Sequence, residues 1–385
     1  MFYVGIDISK YKHTLVVASH LGEVVQKPFD FDNSQLGFKL LLEKLKPYDS
    51  NQLKIGFEST GHYSANLRQF LSNQGYSFYQ LNPHLVKKFS SSLSIRKAKT
   101  DKIDSLAIAK FLMTIDSKSF TPLSYHMSHL KSLTRHYYRL NKYVSKTKVE
   151  LVNYLDQAFP EFSNYFSSIY GKTPLNILLN ANSLLSIGRL SKSRFESLRK
   201  LSRGRFKYSK YLKLKQTAKQ SIGLKDDYLW CLLHLVIRRI NSLQIEKDSI
   251  EDEIKFIMDD IQSPITSIPG MGITSAAIIL SEIGDIFRFP NTKSLIAFAG
   301  LDNSVYQSGT ESHYGKISKN GSKYLRTSLY SVSLPVITHS KLFYEYYFDK
   351  KSKGKPHKLS LIWVSRKMLR VIYHLLKNKE EFIDQ

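Results

Sequence analysis

The hydrophobic pattern of the first eighty residues alternates between strand and helix periodicities. A leucine stripe at helical spacing predicts a helix that Asn33 caps and Pro47 ends. A second helix is predicted over residues 64–73. Short apolar runs predict five strands, at residues 2–8, 14–19, 23–29, 54–58 and 76–81. Three consecutive strands followed by alternating helix and strand predict an α/β domain with a mixed sheet.

Helical patterns dominate the remainder of the chain. Residues 84–99 are basic and rich in serine and predict a loop or short helix, and Thr100 is predicted to cap a helix over residues 101–113. Long amphipathic helices are predicted over residues 128–159 and 228–261. Two such helices favour an antiparallel coiled-coil arm or a dimerisation element.

These patterns divide the chain into three predicted regions. A length of 385 residues suggests two or three domains, which agrees with this division. Residues 1–125 form an α/β domain with the element order of ribonuclease-H-like nucleases. Residues 126–262 form a helical, coiled-coil region with a basic insertion. Residues 263–385 form a mostly helical C-terminal domain. The predicted fold class is therefore α/β plus α.

Four acidic residues lie where a nuclease would hold metal ions. Asp7 lies inside the first apolar strand, Glu58 ends the fourth, and Asp101 and Asp104 share one face of the following helix. A carboxylate in an apolar strand is costly unless a cation pairs with it, and Mg²⁺ prefers oxygen ligands. Two such ions can activate the attacking oxygen and stabilise the leaving oxygen at a phosphodiester. Asp101 and Asp104 alone favour a solvated helix face, whereas the full set favours a Mg²⁺ site.

Charge indicates the class of partner. Lys and Arg number 57 against 32 Asp and Glu, and the formal net charge of +25 favours nucleic acid, since binding releases counterions from phosphates. A basic protein of the membrane surface is the competing interpretation, but no anchor or membrane span is predicted. The single cysteine, Cys231, excludes an internal disulfide framework and fits a reducing compartment. Because no signal peptide opens the chain, we expect a cytoplasmic protein.

Residues 268–272, Ile-Pro-Gly-Met-Gly, are a candidate phosphate contact. The segment resembles a helix-hairpin-helix, in which Gly270 and Gly272 let backbone N–H groups approach a phosphate at a helix N-terminus. The alternative is a plain turn between helices, with small residues for close packing. The basic composition of the chain favours phosphate contact.

A glycine- and serine-rich segment near the C-terminus contains Ser308 and Gly309, followed by the cations Lys316, Lys319, Lys323 and Arg326. An exposed serine hydroxyl among positive charges can act as a nucleophile on phosphorus, because the cations stabilise the developing negative charge. Residue chemistry alone favours a simpler interpretation, which is a basic loop that grips backbone phosphate.

The motifs, taken in order, resemble those of the insertion-sequence DEDD transposases, which are related to a group of site-specific DNA invertases. The N-terminal half carries them at residues 4–10 (VGIDISK), 57–61 (FESTG) and 99–107 (KTDKIDSLA). The C-terminal half carries them at residues 268–270, 299–301, 308–309, 317–321, 325–326, 353–358 and 366–369. The resemblance covers nearly the whole chain, and the joint order of the motifs is its specific feature.

The resemblance implies a RuvC-like N-terminal domain that binds Mg²⁺ through Asp7, Glu58, Asp101 and Asp104. It also implies that Ser308 is the nucleophile and forms a covalent phosphoserine link to DNA. Family members assemble as dimers and tetramers, and one composite active site can combine domains from different subunits. The family includes recombinases guided by a structured non-coding bridge RNA that pairs with donor and target DNA.

The expected function is therefore that of a DNA transposase or site-specific recombinase that cleaves and rejoins strands, guided by a bridge RNA. The first alternative is a metal-dependent, structure-specific nuclease of the Holliday-junction type, which would form no covalent intermediate. The second is an inactive nucleic-acid-binding remnant of a transposase. A trapped covalent protein–DNA adduct would separate the recombinase from the nuclease.

Overall fold

The computed structural model describes residues 1–58, 63–81, 83–93, 100–114, 125–308 and 311–384. The chain forms two compact units, Met1–Pro122 and Leu123–Gln385. Parts of the sequence motifs and of the basic segment 84–99 lie outside the described residues: residues 59–61, residues 94–99 and Gly309.

The first unit is built on one mixed sheet whose strands lie in the order β3-β2-β1-β4-β5. Strand β1 pairs antiparallel with β2 and parallel with β4, β2 pairs antiparallel with β3, and β4 pairs parallel with β5. The strands are β1 Phe2–Ile8, β2 Lys12–Ser19, β3 Val24–Asp32, β4 Leu53–Glu58 and β5 Phe78–Leu81. The predicted mixed α/β sheet is confirmed.

Helices cover both faces of this sheet. They are α1 Gln35–Leu45, α2 Ala65–Asn73, α3 Pro83–Leu93 and α4 Asp101–Thr114, with a short 3₁₀ turn at Ser50–Gln52. The even-numbered residues of β1, such as Val4 and Ile6, pack with Leu41 of α1 and Leu67 of α2. Helix α4 packs against β1 and β2 on the opposite face, where Ala109 contacts Val16. Alternate residues of β1 therefore face different helices.

Strand boundaries follow the hydrophobic pattern to within a few residues. Strand β1 spans the predicted residues, whereas β2 begins two residues earlier, at Lys12, and β3 runs on to Asp32. Strand β5 begins at Phe78 rather than at residue 76. Hydrogen bonding to a neighbouring strand extends β2 and β3 through polar positions, which a hydrophobic pattern does not mark.

One predicted helix cap is correct and the other is wrong. Thr100 caps α4, since its Oγ1 accepts a hydrogen bond from the N–H of Ile103 at 3.3 Å. The cap of α1 is Ser34 rather than Asn33, and the Ser34 Oγ accepts from the N–H of Gly37 at 3.2 Å. The Asn33 amide donates to the carbonyl oxygen of Lys10 at 3.3 Å, which ties it to the connection between β1 and β2.

The second unit is mostly helical. Its helices are α5 Tyr125–Ala158, α6 Lys172–Leu179, α7 Leu184–Gly188, α8 Lys192–Leu201, α9 Tyr208–Gln220, α10 Asp227–Ile261, α11 Ile273–Ile283, α12 Thr292–Phe298, α13 Lys323–His339, α14 Lys341–Ser352 and α15 His357–Asn378. Its strands, β6 Asn303–Ser308 and β7 Glu311–Ile317, pair antiparallel. Short 3₁₀ turns lie at Pro160–Tyr165, Pro264–Ser267 and Ile286–Arg288.

The two long helices, α5 and α10, pack against each other in antiparallel orientation. Tyr137 of α5 donates a hydrogen bond to Glu251 of α10, and thirteen residues later Glu150 of α5 pairs with Arg239 of α10 at 3.1 Å. Residue numbers therefore decrease along α10 in the direction in which they increase along α5. The predicted antiparallel pair is confirmed, and its coiled-coil character stays a prediction.

Two hydrophobic cores lie along this helix pair. One includes Phe162, Leu178 and Trp230 and joins α5 and α10 to the segments between them. The other includes Leu280 and Leu369 and joins the pair to the C-terminal helices. The boundary at residue 262 between a helical region and a C-terminal domain stays a prediction. Among the described residues, no helix is both long enough and apolar enough to cross a membrane.

The close packing of α4 on β1 generates the first prediction. A Cβ atom at Gly5 would lie 2.0 Å from the carbonyl oxygen of Ser105 and 2.6 Å from the backbone nitrogen of Ala109. Because backbone atoms of a packed helix cannot move aside cheaply, Gly5→Ala should lower the free energy of unfolding by about 2 kcal/mol or more. Urea denaturation of the variant measures this loss.

Gly56→Ala is the matched control, since Gly56 is the register partner of Gly5 on β4. A Cβ atom at Gly56 would meet the Leu112 side chain, whose nearest atom lies at 2.5 Å, rather than the backbone of α4, and a side chain moves more readily than a helix backbone. Gly56→Ala should therefore cost less than Gly5→Ala. Equal losses for the two variants would show that α4 does not rest on the backbone of β1 as described.

Candidate functional site

Asp7 and Glu58 lie side by side on neighbouring parallel strands. The register of β1 and β4 ends with the pair Ile6 and Phe57, and Asp7 and Glu58 are the next residues on each strand. Neighbouring strands are about 5 Å apart, and residues at matching positions of parallel strands point to the same face. Both residues are half-buried. The backbone therefore brings together two carboxylates that are far apart in the sequence.

Helix α4 lies over the same face of the sheet and runs opposite to β1. Tyr3, near the start of β1, packs with clusters formed by the second half of α4, whereas Gly5 lies against Ser105 and Ala109. The first turn of α4, with Asp101 and Asp104, therefore lies toward the Asp7 end of the strand. Asp101 is exposed and Asp104 is half-buried.

A salt bridge borders the first turn of α4. The Lys12 Nζ lies 2.7 Å from Asp30 Oδ2, and the Thr14 hydroxyl donates to Asp30 Oδ1 at 2.7 Å. These two hydrogen bonds, from Lys12 and then from Thr14, hold the pKa of Asp30 below its ordinary value, and the same contact raises the pKa of Lys12. An open cleft is lined by Lys12, Asp30, Thr100, Asp101 and Lys102. Sequence reasoning missed Asp30, whose strand carries no motif.

Among the described residues, no three Asp, Glu, His or Cys side chains are grouped closely enough to hold a metal ion. The oxygen donors that the backbone brings toward one end of β1 and β4 match the chemistry that Mg²⁺ prefers. Asp7 and Glu58 each make further contacts.

The segment with Ser308 forms the two-stranded sheet of the second unit. Ser308 is the last residue of β6, and its register partner is Glu311 at the start of β7. Two hydrogen bonds join Asp302 and Ser318 at the base of the strand pair, one between side chains and one between backbone groups at 2.8 Å.

Arg366 of α15 holds the start of β6 in place. Its Nε donates to the carbonyl oxygen of Leu301 at 2.6 Å, and its Nη2 donates to Asn303 Oδ1. The side chain is buried, and this burial lowers its pKa. A buried guanidinium is costly to leave unpaired, so these contacts fix the strand to the helical core.

The four predicted phosphate-binding cations differ in their surroundings. Lys316, Lys319 and Lys323 are exposed, and Lys323 and Ser322 lie at the start of α13. Arg326 is half-buried, and its Nη1 donates to the carbonyl oxygen of Ala299 at 2.9 Å. One nitrogen of Arg326 is therefore engaged within the fold, and the side chains of the three lysines are solvent-exposed.

Gly270 and Gly272 also differ. Gly270 has a φ of +84°, and a Cβ atom there would lie 2.6 Å from the carbonyl oxygen of Pro335 in α13, so its glycine serves close packing. Gly272 precedes α11, has an ordinary φ of −68°, and faces open space. Of the two, Gly272 leaves room for a phosphate at the helix N-terminus.

A buried carboxylate that sequence reasoning missed connects three helices near the β6–β7 pair. Glu282 of α11 is 1% exposed and accepts hydrogen bonds from Arg135 of α5 at 2.7 and 3.2 Å. It also accepts one at 2.8 Å from Ser322, the residue that caps α13. Burial raises the pKa of Glu282, but the contacts with Arg135, Lys131 and Ser322 outweigh it and leave the pKa below its ordinary value.

Comparisons with known proteins identify the family. Residues 4–160 match a family model of IS110-type DEDD transposases, described as "Transposase", and residues 262–348 match one described as "Transposase IS116/IS110/IS902 family". The two matches together span more than half of the chain. The protein belongs to the IS110-type family of DEDD transposases. It is an enzyme of the DNA transposase and recombinase class.

The similar proteins include both transposition and inversion proteins. A pilin gene-inverting protein of Moraxella bovis is 22% identical over 99% of this chain and 97% of its own length. An uncharacterised protein of insertion element IS110 from Streptomyces coelicolor is 23% identical over 36% of this chain, and the match spans 35% of that protein. A transposase for insertion sequence element IS1111A of Coxiella burnetii is 34% identical over 24% of this chain and 26% of its own length.

The Glu282 contacts generate a prediction about stability. Glu282→Gln removes the negative charge that balances Arg135. Because Arg135 is 41% exposed, the variant should lose about 2 kcal/mol of unfolding free energy, which is less than the loss from breaking a fully buried pair. Because the folded-state pKa is lowered, the advantage of the wild type is complete above the ordinary pKa of 4.5 and shrinks as pH falls below it. Urea denaturation at several pH values measures both effects.

Glu150→Gln is the control. Its partner Arg239 lies at 3.1 Å, but the two side chains are 38% and 57% exposed. Loss of this surface pair should cost less than about 0.5 kcal/mol at neutral pH. A Glu282→Gln loss no larger than the Glu150→Gln loss would contradict a structural role for the buried carboxylate.

Proposed function

We propose that this transposase cleaves and rejoins DNA strands through a covalent link to Ser308, assisted by Mg²⁺ bound at Asp7, Glu58, Asp101 and Asp104. The observation that carries the proposal is the adjacent register of Asp7 and Glu58, with the first turn of α4 toward the same end. Family membership supports it, since DEDD transposases generally depend on divalent metals. The strand order supports a RuvC-like identity for the first unit.

In the proposed reaction, the Ser308 hydroxyl loses its proton and its oxygen attacks a phosphorus atom of the DNA backbone. The bond from phosphorus to one deoxyribose oxygen breaks, and that oxygen takes up a proton. When bound, Mg²⁺ would neutralise negative charge on the phosphate. It would also favour loss of the proton from the attacking hydroxyl and stabilise negative charge on the leaving oxygen. Attack by a deoxyribose hydroxyl of a second strand then reverses the chemistry and releases Ser308.

The charges near β6 and β7 support this role for the strand pair. Lys316, Lys319 and Lys323 are exposed and add positive charge close to the strand in which Ser308 lies. Positive charge close to the reacting phosphate stabilises the charge that develops on the phosphoryl oxygens. The hydrogen bonds of Arg366 and Asp302 at the base of the strands limit the movement of the β6–β7 pair. Such positioning favours the reaction by lowering the entropy lost when the reactants meet.

We further propose that the enzyme acts as a dimer or tetramer and uses a structured guide RNA to choose its DNA sites. A net charge of +25 supports binding of more than one nucleic acid. The inverting activity in the name of the Moraxella bovis relative supports site-specific recombination as well as transposition. Sequencing of the nucleic acid that copurifies with the protein tests the guide. A defined RNA encoded beside the gene is expected, and random cellular RNA would contradict the proposal.

Ser308→Ala tests the nucleophile. The variant should bind DNA with unchanged affinity but form no covalent adduct, and strand exchange should fall more than about a thousandfold, as expected for loss of a nucleophile. Denaturing electrophoresis of labelled DNA carrying the ends of the element detects the adduct. Ser304→Ala, in the same strand, is the control and should still form it.

Persistence of the adduct in Ser308→Ala would refute the nucleophile. Cleavage without any adduct in the wild-type protein would favour a hydrolytic nuclease of the resolvase type instead. Absence of cleavage and strand exchange in the wild type, with binding retained, would favour an inactive remnant.

Asp7→Asn tests the metal site. Loss of one carboxylate charge should weaken Mg²⁺ binding by tenfold or more, which is about 1.4 kcal/mol. Isothermal titration of the metal-free protein with Mg²⁺ measures the affinity, and strand exchange should fall in parallel. Glu43→Gln, an exposed change on α1, is the charge-matched control. Equal Mg²⁺ affinity in the Asp7 and Glu43 variants would exclude Asp7 as a ligand.

A further inference from the structure

The segment from Pro160 to Lys225, here called the basic module, has no role in the proposed reaction. Nearly all of it lies outside the two family matches, which end at residue 160 and resume at residue 262. It holds a 3₁₀ turn and helices α6 to α9, which pack on the hydrophobic core that includes Phe162 and Trp230. The module is therefore a folded part of the second unit rather than a loose insertion.

The basic module carries nearly half of the net charge of the chain. It contains fourteen Lys or Arg and two Glu, a net charge of +12 against +25 for all 385 residues. Within the described residues, one of these cations pairs with a carboxylate: Arg199 Nη1 lies 3.8 Å from Glu196 Oε2. The second acid, Glu161, accepts hydrogen bonds from Ser221 and from the N–H of Ile222. The positive charge of the module is therefore barely offset by its own acids.

Packing directs this charge to solvent along α8 and α9. Each helix buries one apolar face, with Phe195 and Leu198 on α8 and Tyr211 and Leu214 on α9. The cations lie on the opposite faces and in the turn between the helices. Those that are exposed on α8, in the turn and on α9 are Lys192, Arg199, Lys200, Arg203, Arg205, Lys207, Lys213 and Lys219.

The turn between α8 and α9 presents three of these cations within five residues. Backbone hydrogen bonds hold it, since the N–H of Gly204 donates to the carbonyl oxygen of Arg199 at 2.9 Å. The N–H of Phe206 also donates to the Ser202 hydroxyl at 2.9 Å, and the Phe206 ring is buried. Arg203, Arg205 and Lys207 are thus exposed on an anchored backbone, which lowers the entropy lost when they bind a ligand.

The aromatic residues of the module indicate which form of nucleic acid it fits. The rings of Phe195, Phe206 and Tyr211 are each 3% exposed and pack on one another, with centroids 5.0 Å apart for Phe195 and Tyr211. Binding of unpaired bases requires exposed rings on which bases stack. Tyr208 is 48% exposed, but its ring packs against Phe195 and Tyr211. The exposed cations of α8, the turn and α9 therefore outnumber exposed rings, and such a surface fits the phosphates of a duplex.

We infer that the basic module is a sequence-independent docking surface for the phosphate backbone of duplex DNA. DNA is the class of substrate on which transposases act, and the charge of the module complements it. A surface of this kind would grip the duplex through phosphates and leave the reading of sequence to other parts of the complex. The inference holds whether or not Ser308 and Mg²⁺ carry out the proposed chemistry.

The test replaces Arg203, Arg205 and Lys207 together by Gln in the full-length protein. Binding to a duplex of arbitrary sequence, about 40 base pairs long, is measured by fluorescence anisotropy at several salt concentrations. Each lost phosphate contact reduces the steepness of the plot of log K against log salt by about 0.9. The slope of the triple variant should therefore be shallower than that of the wild type by about two to three units. Circular dichroism checks that the helices remain folded.

The matched control replaces three exposed lysines of unit one, Lys39, Lys44 and Lys46, by Gln. It removes the same net charge and should leave the slope near the wild-type value. Equal slopes for the two variants would overturn the inference, because the effect would then reflect overall charge alone.

Two further results would also overturn it. A loss of slope with a structured RNA but none with the DNA duplex would assign the surface to RNA. A change of oligomeric mass in light scattering without nucleic acid, with an unchanged DNA slope, would assign it to contact between copies of this chain. Since neither measurement requires catalysis, failure of this inference and failure of the proposed reaction can be told apart.

Discussion

The contact between the backbone of β1 and that of α4 is the constraint on which the candidate metal site depends. No side chain separates the two elements at Gly5, so the helix rests directly on the strand. This contact fixes both the height of α4 above the sheet and its position along β1. Asp101 and Asp104, at the start of the helix, are thereby placed toward the end of β1 where Asp7 and Glu58 lie. Oxygen ligands from a strand pair and a helix are thereby brought toward one end of the sheet.

In the second unit, the buried carboxylate of Glu282 fixes the arrangement of the helices. Glu282 and Arg135 are 147 positions apart, and their contact joins α11 to α5 while Ser322 joins the start of α13 to the same carboxylate. Buried polar groups of this kind cost free energy unless every partner is in place, so they select one arrangement of the helices. Because β7 leads directly into α13, this selection also defines where the β6–β7 pair emerges. Arg366 adds a second polar anchor at the start of β6.

Positive charge is therefore used in two different ways in this protein. Arg366 is buried and Arg135 is half-buried, and each donates hydrogen bonds to carbonyl or carboxylate oxygens of the fold. The cations of the basic module remain in water, where charge is inexpensive to keep and available to a polyanion. The first kind stabilises the scaffold of the serine-bearing strands, and the second can contribute affinity for DNA without requiring any particular sequence. Overall net charge alone does not distinguish the two.

The sequence alone determined the elements, because the forces that create them act between near neighbours. Periodicity predicted β1 over its whole length and the antiparallel pair of long helices, and the hydroxyl of Thr100 marked the start of α4. The same local reasoning placed the α1 cap one residue too early, at Asn33, whereas the helix begins after Ser34, whose extended backbone lets its hydroxyl accept from the N–H of Gly37.

Only the tertiary structure decided which of these residues meet. The neighbouring positions of Asp7 and Glu58 come from the register of two parallel strands separated by more than forty residues. Glu282 carried no motif, and its importance became visible only when Arg135 and Ser322 were seen to surround it. The physical reason is that hydrogen bonds and close packing depend on distance in space. One sequence pattern is compatible with many such distances until the core is packed.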